Sequence, residues 1–220
     1  MDAIECIRTR MSIRKFLQEP VPRDILEKVF DAARWSPSYK NSQPWEVVVV
    51  SGRKKEELTA LLAGLLDREE PPCPDLEEPV AWPPAVGERI AAHLAARSQA
   101  TGIDLNDPVI RKKAKLANFR FYGAPHAFYF FQDASLTAWS MLDMGLFCQS
   151  VMLAAHSLGL GTVPQAFATD YSRQTREFLG IPDDKRLMLG MSVGYPDLAS
   201  PANAYRSGRQ GVGEIVRWAG

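Results

Sequence analysis

The sequence lacks the features that mark several common classes of protein. Its 26 basic and 26 acidic residues give a formal net charge of 0, so no overall field favours nucleic acid or an anionic membrane. No apolar run approaches the ~20 residues that a bilayer requires, and the first residues, MDAIECIRTR, do not resemble a signal peptide. These absences predict a cytoplasmic protein without nucleic-acid or membrane partners.

Cysteine and histidine are scarce and scattered. Cys6, Cys73 and Cys148 lie far apart, at spacings that suit neither a disulfide framework nor a zinc site. The three histidines are equally dispersed, and the chain contains no Walker A sequence and no G-x-S-x-G elbow. We therefore expect no metal site and no side-chain nucleophile of the kind that hydrolases use.

Hydrophobic periodicity divides the chain into helices separated by strands. The ranges predicted as helices are 2–9, 21 to the residue before Pro37, 53–66, 88–97, 107–119, 135–158 and 172–179. The ranges predicted as strands are 45–50, 127–131, 162–168 and 186–193. A chain of 220 residues suffices for one substantial domain, and this alternation predicts an α+β fold with helices on both faces of a mixed sheet.

Three segments carry more detailed expectations. The strand over 45–50, WEVVVV, is almost wholly apolar, which predicts burial on both faces. The helix over 135–158 is apolar most of the way round, so we expect it to pack against a partner subunit as well as its own sheet. Ser172 is expected to cap the short helix that it begins.

Residues 67–87 differ in composition from the rest of the chain. Six of the 16 prolines fall there, among many acidic residues, and so no continuous helix can form. Such a segment is either a mobile cover over a site or a spacer on the surface.

Two polar motifs near the N-terminus offer groups for a ligand. Arg10, Ser12 and Arg14 alternate with apolar residues, so the three side chains project to one side of an extended chain. The stretch from Trp35 to Trp45, WSPSYKNSQPW, lies between a helix and a strand, and its prolines and small polar residues predict a rigid polar loop. Loops of this kind commonly bind ligands, and the alternative is a solvated turn.

Together, R-x-S-x-R and PSxxNxQPW resemble the opening signatures of the nitroreductase family of FMN-dependent oxidoreductases. Further matching pieces are Tyr122-Gly123-Ala124-Pro125, Asp143-Met144-Gly145 with Gln149 and Leu153-Ala154-Ala155, GLGT at 159–162, Arg206-Ser207-Gly208-Arg209 and Glu214-Ile215-Val216. The resemblance runs from Ile4 to Trp218 and is weakest in the Pro-rich segment. It implies a nitroreductase-like α+β fold, with a central mixed, mainly antiparallel sheet flanked by helices. It also implies an interlocked homodimer whose C-terminal tail extends onto the partner.

The resemblance also implies one flavin-binding domain over 1–220, in which residues 67–122 are variable and cover the substrate channel. Arg10 and Ser12, with Arg206 or Arg209, are expected to hold the FMN phosphate and ribityl chain, since the planar guanidinium binds phosphate bidentately. Arg14 matches the basic residue near flavin N1 and O2, where negative charge accumulates on reduction.

The resemblance implies that the backbone N–H groups of Gln165 and Ala166 face flavin N5 and O4. The loop residues Pro37 to Gln43 are expected to reach the cofactor from the other subunit. The full set of expected cofactor-binding residues is Arg10, Met11, Ser12, Arg14, Pro37, Ser38, Asn41, Gln43, Pro164, Gln165, Ala166, Arg206 and Arg209.

These assignments predict an oxidoreductase without a catalytic side chain, because a redox cofactor brings its own reactivity. In a ping-pong reaction, NADH or NADPH gives hydride to flavin N5 and leaves. An electron-poor small molecule, such as a nitroaromatic or a quinone, then takes its place and is reduced. The alternatives are another activity of the same scaffold, such as enone reduction, dehalogenation or flavin fragmentation, and a non-catalytic flavin-binding protein.

Overall fold

The structure is a computed structural model that describes residues 1–104 and 107–220. Its α-helices are α1 (Ala3–Thr9), α2 (Arg23–Ala33), α3 (Gly52–Asp67), α4 (Pro84–Thr101), α5 (Pro108–Phe119), α6 (Ala138–Ser157), α7 (Ser172–Leu179) and α8 (Val212–Ile215). Its strands are β1 (Glu46–Ser51), β2 (His126–Asp133), β3 (Gly161–Gln165) and β4 (Lys185–Gly194). Each predicted helix and strand is present; α7 has the predicted ends, the ends of the other elements are shifted, and α8 was not predicted.

The strands form one sheet in the order β1-β2-β4-β3, in which all neighbours are antiparallel. The mixed character is limited to a single parallel bridge between Ser12 and Thr162. β2 is central and buried over nearly its whole length, and its side chains alternate between two apolar cores. Tyr129 and Phe131 face the core that contains α3, whereas Phe128 and Phe130 face the core that contains α2 and α6. The helices therefore cover both faces of the sheet, as predicted.

The prediction that residues 45–50 are buried on both faces was wrong. β1 is an edge strand with one neighbour, β2, and Val49 is 42% exposed. A continuous run of β-branched residues is compatible with any strand that is covered on part of its surface. It cannot distinguish a central strand from an edge strand.

Two boundary expectations also failed around α7. Tyr171, not Ser172, occupies the N-cap position, and the Ser172 hydroxyl donates a hydrogen bond to the carbonyl oxygen of Thr169. β3 ends at Gln165 instead of Ala168, because Phe167–Thr169 turn into a 3₁₀ helix. Ala168 then packs so closely on β4 that a Cβ at Gly190 would lie 2.4 Å from its Cβ.

The first part of the Pro-rich segment is anchored to the body of the protein. The amide N of Cys73 donates to the carbonyl oxygen of Asp170 at 2.6 Å. The Asp75 carboxylate accepts from the backbone N of Leu187 at 2.7 Å and forms an ion pair with Arg176. Val80, further along, is fully exposed. These contacts favour a fixed surface segment over a mobile cover at Cys73 and Asp75.

Helix α6 has two apolar faces. One face is buried against α2 and the sheet and includes Phe147 and Val151. The opposite face exposes Trp139, Leu142 and Leu146 at 61%, 60% and 48%. Among the described residues, α6 is the helix that is long and apolar enough to cross a membrane by length and composition alone. Because 39% of its most apolar stretch is buried within the protein, α6 is part of the folded core, and its exposed apolar face is typical of an interaction surface.

Candidate functional site

The Arg10–Arg14 segment lies along the free edge of β3. Helix α1 ends at Thr9, and the amide N of Ile13 then donates to the carbonyl oxygen of Thr162 at 2.9 Å. The Ile13 side chain is buried in the core, whereas Ser12 and Arg14 are only partly buried. The alternation seen in the sequence is thus used to bury the apolar residue and direct its polar neighbours away from the core.

Gly161 allows this close approach. A Cβ at position 161 would lie 2.6 Å from Cγ1 of Ile13, which is closer than side chains pack. Gly159 has a φ of +79°, which suits the turn that ends α6. The sequence had indicated only a helix stop for this GLGT stretch. Its second glycine serves instead to let the N-terminal segment lie against β3.

Arg10 lies in a cluster of like charges. Its Nη1 atom is buried and has no hydrogen-bond partner among the described residues. Burial, and then the charges of Arg209 and Arg206, lower the pKa of Arg10 below its ordinary value. The structure therefore brings together the three guanidinium groups expected at the phosphate. An oxyanion bound here would supply the missing acceptor and offset the repulsion, so the residues fit the phosphate of FMN.

The main cavity has a volume of about 940 Å³, and Arg10, Arg206 and Arg209 are not among the residues that line it. Arg14 lines it, and the backbone N of Arg14 is held by the side-chain oxygen of Asn203 at 2.7 Å. The other lining residues come from α4, α5 and the end of β3; they include Leu94, Arg97, Asn118, Tyr122, Pro164, Gln165, Ala166 and Phe167. This volume is at the upper end of the range for small-molecule and cofactor sites, about 300–1,000 Å³.

The end of β3 presents backbone to the cavity. The Gln165 side chain is 2% exposed, and its amide donates to the carbonyl oxygen of Asn118 at 2.9 Å and accepts from the Ser192 hydroxyl. Because that side chain is fixed in the interior, Gln165 can contribute only main-chain groups. Pro164 is exposed, as expected for a residue without an N–H on an edge strand. By the alternation of the strand, the first outward-facing amide beyond it belongs to Ala166.

The loop between α2 and β1 is held in an unusual conformation. Lys40, Asn41 and Gln43 have φ values of 52°, 56° and 48°, a region that residues other than glycine rarely adopt. The loop is fixed by bonds from the amide N of Tyr39 to the Asp143 carboxylate at 3.1 Å and from the amide N of Gln43 to the Ser38 hydroxyl at 3.0 Å. The rigid polar loop predicted from the sequence is therefore present.

Within one chain, this loop does not meet the rest of the expected site. Pro37, Ser38, Asn41 and Gln43 line neither the cavity beside Arg14 nor the smaller pocket beside Arg10. Met11 lines the smaller pocket beside Arg10. Ser12 forms a β-bridge with Thr162, which lines the same pocket. The residues expected at the cofactor therefore form two separate groups in a single chain.

Arg97 is a further residue of the cavity that no sequence motif indicated. Arg97 projects from α4 into the cavity, and burial together with the charge of Arg14 lowers the pKa of Arg97. Arg97 belongs to no recognisable motif. The helix also contains no buried residue that would have fixed its orientation.

Fold and site together define an α+β protein with a basic cleft at the edge of its sheet, suited to an anionic cofactor. The model of the nitroreductase family matches residues 7–195. The chain belongs to the nitroreductase family, as its motifs predicted.

Related proteins extend over nearly the whole chain. The chain is 33% identical over 212 residues to a 4-nitrobenzoate reductase of Pseudomonas putida, covering 93% of this chain and 89% of that protein. It is 32% identical over 203 residues to a nitrobenzene nitroreductase of Ectopseudomonas oleovorans, covering 90% and 88%.

Among solved structures, the FMN-dependent nitroreductase NfnB from Mycobacterium smegmatis in complex with NADPH is similar, with a TM-score of 0.94 and 31% identity. The match covers 99% of this chain and 97% of that one. The predicted nitroreductase-like fold is therefore confirmed.

Proposed function

We propose that this chain is an FMN-dependent oxidoreductase that uses NADH or NADPH to reduce an electron-poor small molecule, above all a nitroaromatic. One observation carries the proposal: Arg10, whose buried Nη1 has no acceptor and which is crowded by Arg206 and Arg209, lies four residues before Arg14, and Arg14 lines a cavity of cofactor size. When bound there, FMN supplies the transfer of hydride from the nicotinamide to the acceptor. The names of the relatives and the NADPH complex of a similar structure agree with this activity.

The residues of the chain bind and orient the cofactor. Arg10, with Arg206 or Arg209, binds the phosphate, and Ser12 and Met11 contact the ribityl chain beside it. Arg14 provides positive charge near the ring, where a cation favours the reduced, anionic state. Pro164, Gln165 and Ala166 provide backbone groups along the edge of the ring. No side-chain acid or base is required.

The complete site is assembled by a homodimer, in which Pro37, Ser38, Asn41 and Gln43 come from the partner subunit. Two apolar surfaces support this arrangement. One is the exposed face of α6, and the other is the C-terminal tail, where Val212, Ile215 and Trp218 are 65%, 65% and 88% exposed. A partner subunit that covers both surfaces would bury them and bring the strained loop to the cleft.

The chain acts as one cytoplasmic domain over residues 1–220, in which residues 67–122 form the cover of the substrate channel. This assignment is supported by α4 and α5, which provide one wall of the main cavity. The contacts of Cys73 and Asp75 favour a fixed surface segment there, whereas α4 has no buried residue and is held less firmly.

Steady-state turnover tests the proposal. Purified protein loaded with FMN is mixed with NADPH, and NADPH oxidation is followed on adding nitrobenzene, 1,4-benzoquinone, an enone or a halotyrosine. We expect oxidation with the nitroarene and the quinone. Turnover restricted to the enone or the halotyrosine would assign another activity of this scaffold. No turnover with any acceptor, despite bound FMN, would indicate a non-catalytic flavin-binding protein.

A further inference from the structure

The main cavity is lined by an arginine that is not among the residues expected at the cofactor. Of the arginines in that set, Arg10 with Arg206 or Arg209 is assigned to the phosphate and Arg14 to the ring. Arg97 belongs to neither group. It projects from α4, on the wall formed by the variable region, and lines the same cavity as Arg14.

Arg97 is partly buried and has no ion-pair partner within the described ranges 1–104 and 107–220. Its electrostatic neighbours are Arg14, Tyr122 and Tyr205, of which only Arg14 is charged near neutral pH. Asp104 and Arg111 also line the cavity, and each of them has an interaction partner of its own. A guanidinium withdrawn from water beside a second one is unfavourable unless a ligand supplies the counter-charge.

The remaining walls indicate what kind of anion fits. The cavity is lined by apolar groups and by the ring of Tyr122, together with the polar residues Ser98, Gln99 and Asn118. The apolar groups include Ala91, Leu94, Ala95 and Phe167. Apolar and aromatic walls suit a planar aromatic ring, and the planar guanidinium suits a carboxylate in bidentate geometry. A ligand that combines the two features satisfies both parts of the cavity.

We propose that Arg97 is a specificity residue that binds the carboxylate of an aromatic acceptor, so that the enzyme prefers anionic nitroarenes such as nitrobenzoates to neutral ones. This inference rests on the proposed function, because an acceptor enters the cavity only if the chain is a reductase. The same guanidinium could instead receive the 2′-phosphate of NADPH. The two sources share oxyanion chemistry, and the experiment separates them.

The test compares two acceptors of nearly equal size, 4-nitrobenzoate and the neutral 4-nitrobenzamide, with FMN-loaded wild type and Arg97→Gln. We expect kcat/KM for 4-nitrobenzoate to fall about 10- to 100-fold in Arg97→Gln, mainly through KM, because a charge-assisted bidentate contact is lost. The kcat/KM for 4-nitrobenzamide should stay within about 2-fold of the wild-type value, since this neutral acceptor has no carboxylate for Arg97 to bind. Arg97→Lys, which keeps the charge, should restore part of the preference.

Arg89→Gln is the matched control, because Arg89 is an exposed arginine of the same helix that does not line the main cavity. It should leave both acceptors unaffected. A readout independent of turnover is the dissociation constant of benzoate, measured by perturbation of the flavin absorbance. It should rise in Arg97→Gln and not in Arg89→Gln.

Two outcomes would overturn the inference. If Arg97→Gln removes a preference for NADPH over NADH but leaves the ratio of the two acceptors unchanged, the oxyanion is the nucleotide phosphate. If neither the preference for 4-nitrobenzoate over 4-nitrobenzamide nor the preference for NADPH over NADH changes, Arg97 binds no anion at all. Failure of the proposed function looks different, because wild type would then show no FMN-dependent oxidation of NADPH with either acceptor.

Discussion

Without a bound anion, the guanidinium of Arg10 destabilises the folded protein, whereas with an anion it stabilises the complex. Its Nη1 atom lacks an acceptor, and its neighbours Arg206 and Arg209 carry the same charge. A group arranged in this way contributes to ligand binding more than to folding, because its interactions are completed only by an anion.

Arg10→Gln should therefore separate cofactor affinity from stability. We expect FMN to bind about 10- to 100-fold more weakly, since a hydrogen bond to a charged group contributes about 1.5–3 kcal/mol. The unfolding temperature of the FMN-free protein should not fall, because a buried, repelled charge has been removed. Calorimetric titration with FMN and thermal unfolding of the apoprotein measure the two quantities.

The control for this variant is Arg8→Gln, an exposed arginine in the last turn of α1. It should change neither FMN affinity nor stability. Unchanged FMN affinity in Arg10→Gln would contradict the assignment of Arg10 to the phosphate.

The histidines make stability depend on pH. Burial lowers the pKa of His126, and nearby Lys55 lowers it further; the pKa values of His93 and His156 are also lowered, again mainly by burial. The unfolded chain therefore takes up protons below about pH 6.5 that the folded chain does not, so stability rises with pH across this window and is lost as pH falls. His126 also accepts a hydrogen bond from the amide N of Val21 at 3.0 Å, which requires an unprotonated Nε2.

His126→Gln keeps an acceptor and removes the titration. The difference in unfolding free energy between about pH 7.5 and about pH 5.5 should be smaller in this variant, by at most about 1.4 kcal/mol per pH unit. Denaturant unfolding at the two pH values measures it. An equal pH dependence in wild type and variant would show that His126 does not contribute.

At the scale of elements, the position of the arginine motif depends on the packing of its segment against β3. Gly161→Ala would place a Cβ 2.6 Å from Cγ1 of Ile13. Because overpacking costs roughly 1–3 kcal/mol, we expect a loss of unfolding free energy of that size. FMN affinity should fall as well, since Arg10 and Arg14 flank the displaced residue. Denaturant unfolding and FMN titration measure both effects.

Gly87→Ala in α4 is the control for glycine replacement itself. Its Cβ would meet only the Cβ of Trp82, at 3.9 Å. Helix propensity then predicts a gain of up to about 1 kcal/mol. If Gly161→Ala behaved like this control, the close approach would have no energetic consequence.

The sequence was most informative where a pattern is repeated along one element. The helical period of α2 and the apolar length of α6 predicted both helices, because burial selects residues at every turn. It was least informative where the outcome depends on a neighbour in space. The exposure of β1 depends on its position at the sheet edge, and the early end of β3 depends on the contact between Ala168 and Gly190. Arg97 was missed for the same reason, since only the fold places it beside Arg14.

At the scale of the whole molecule, the residues predicted to contact the cofactor do not all meet within one chain. The strained loop over 37–43 was recognised from its motif, yet it lies away from the cavity in its own chain. The family resemblance predicted that these residues reach the cofactor of the other subunit, and this assignment stays a prediction. Their proposed role requires a second subunit, and that requirement can be tested.

Leu142→Glu places a charge on the exposed apolar face of α6, where Leu142 is 60% exposed in the single chain. In a symmetric dimer both copies lose the burial of a leucine, which contributes about 1.5–3 kcal/mol each. The free energy of dimer dissociation should therefore fall by about 3–6 kcal/mol. FMN affinity should fall with it, because the partner loop is removed. Sedimentation equilibrium of the FMN-loaded protein measures the change.

Val80→Glu, at a fully exposed position of the Pro-rich segment, is the matched control and should leave the assembly unchanged. A wild-type protein that sediments as a monomer while binding FMN tightly would contradict the shared site.

The most direct test of the account is an anaerobic titration of the purified, FMN-loaded protein with NADPH, followed by the visible absorbance of the flavin. We predict that the absorbance is lost with one equivalent of NADPH per bound FMN and returns when a nitroarene is added. A protein that takes up no FMN, or whose bound flavin keeps its absorbance with both NADPH and NADH, would contradict the account.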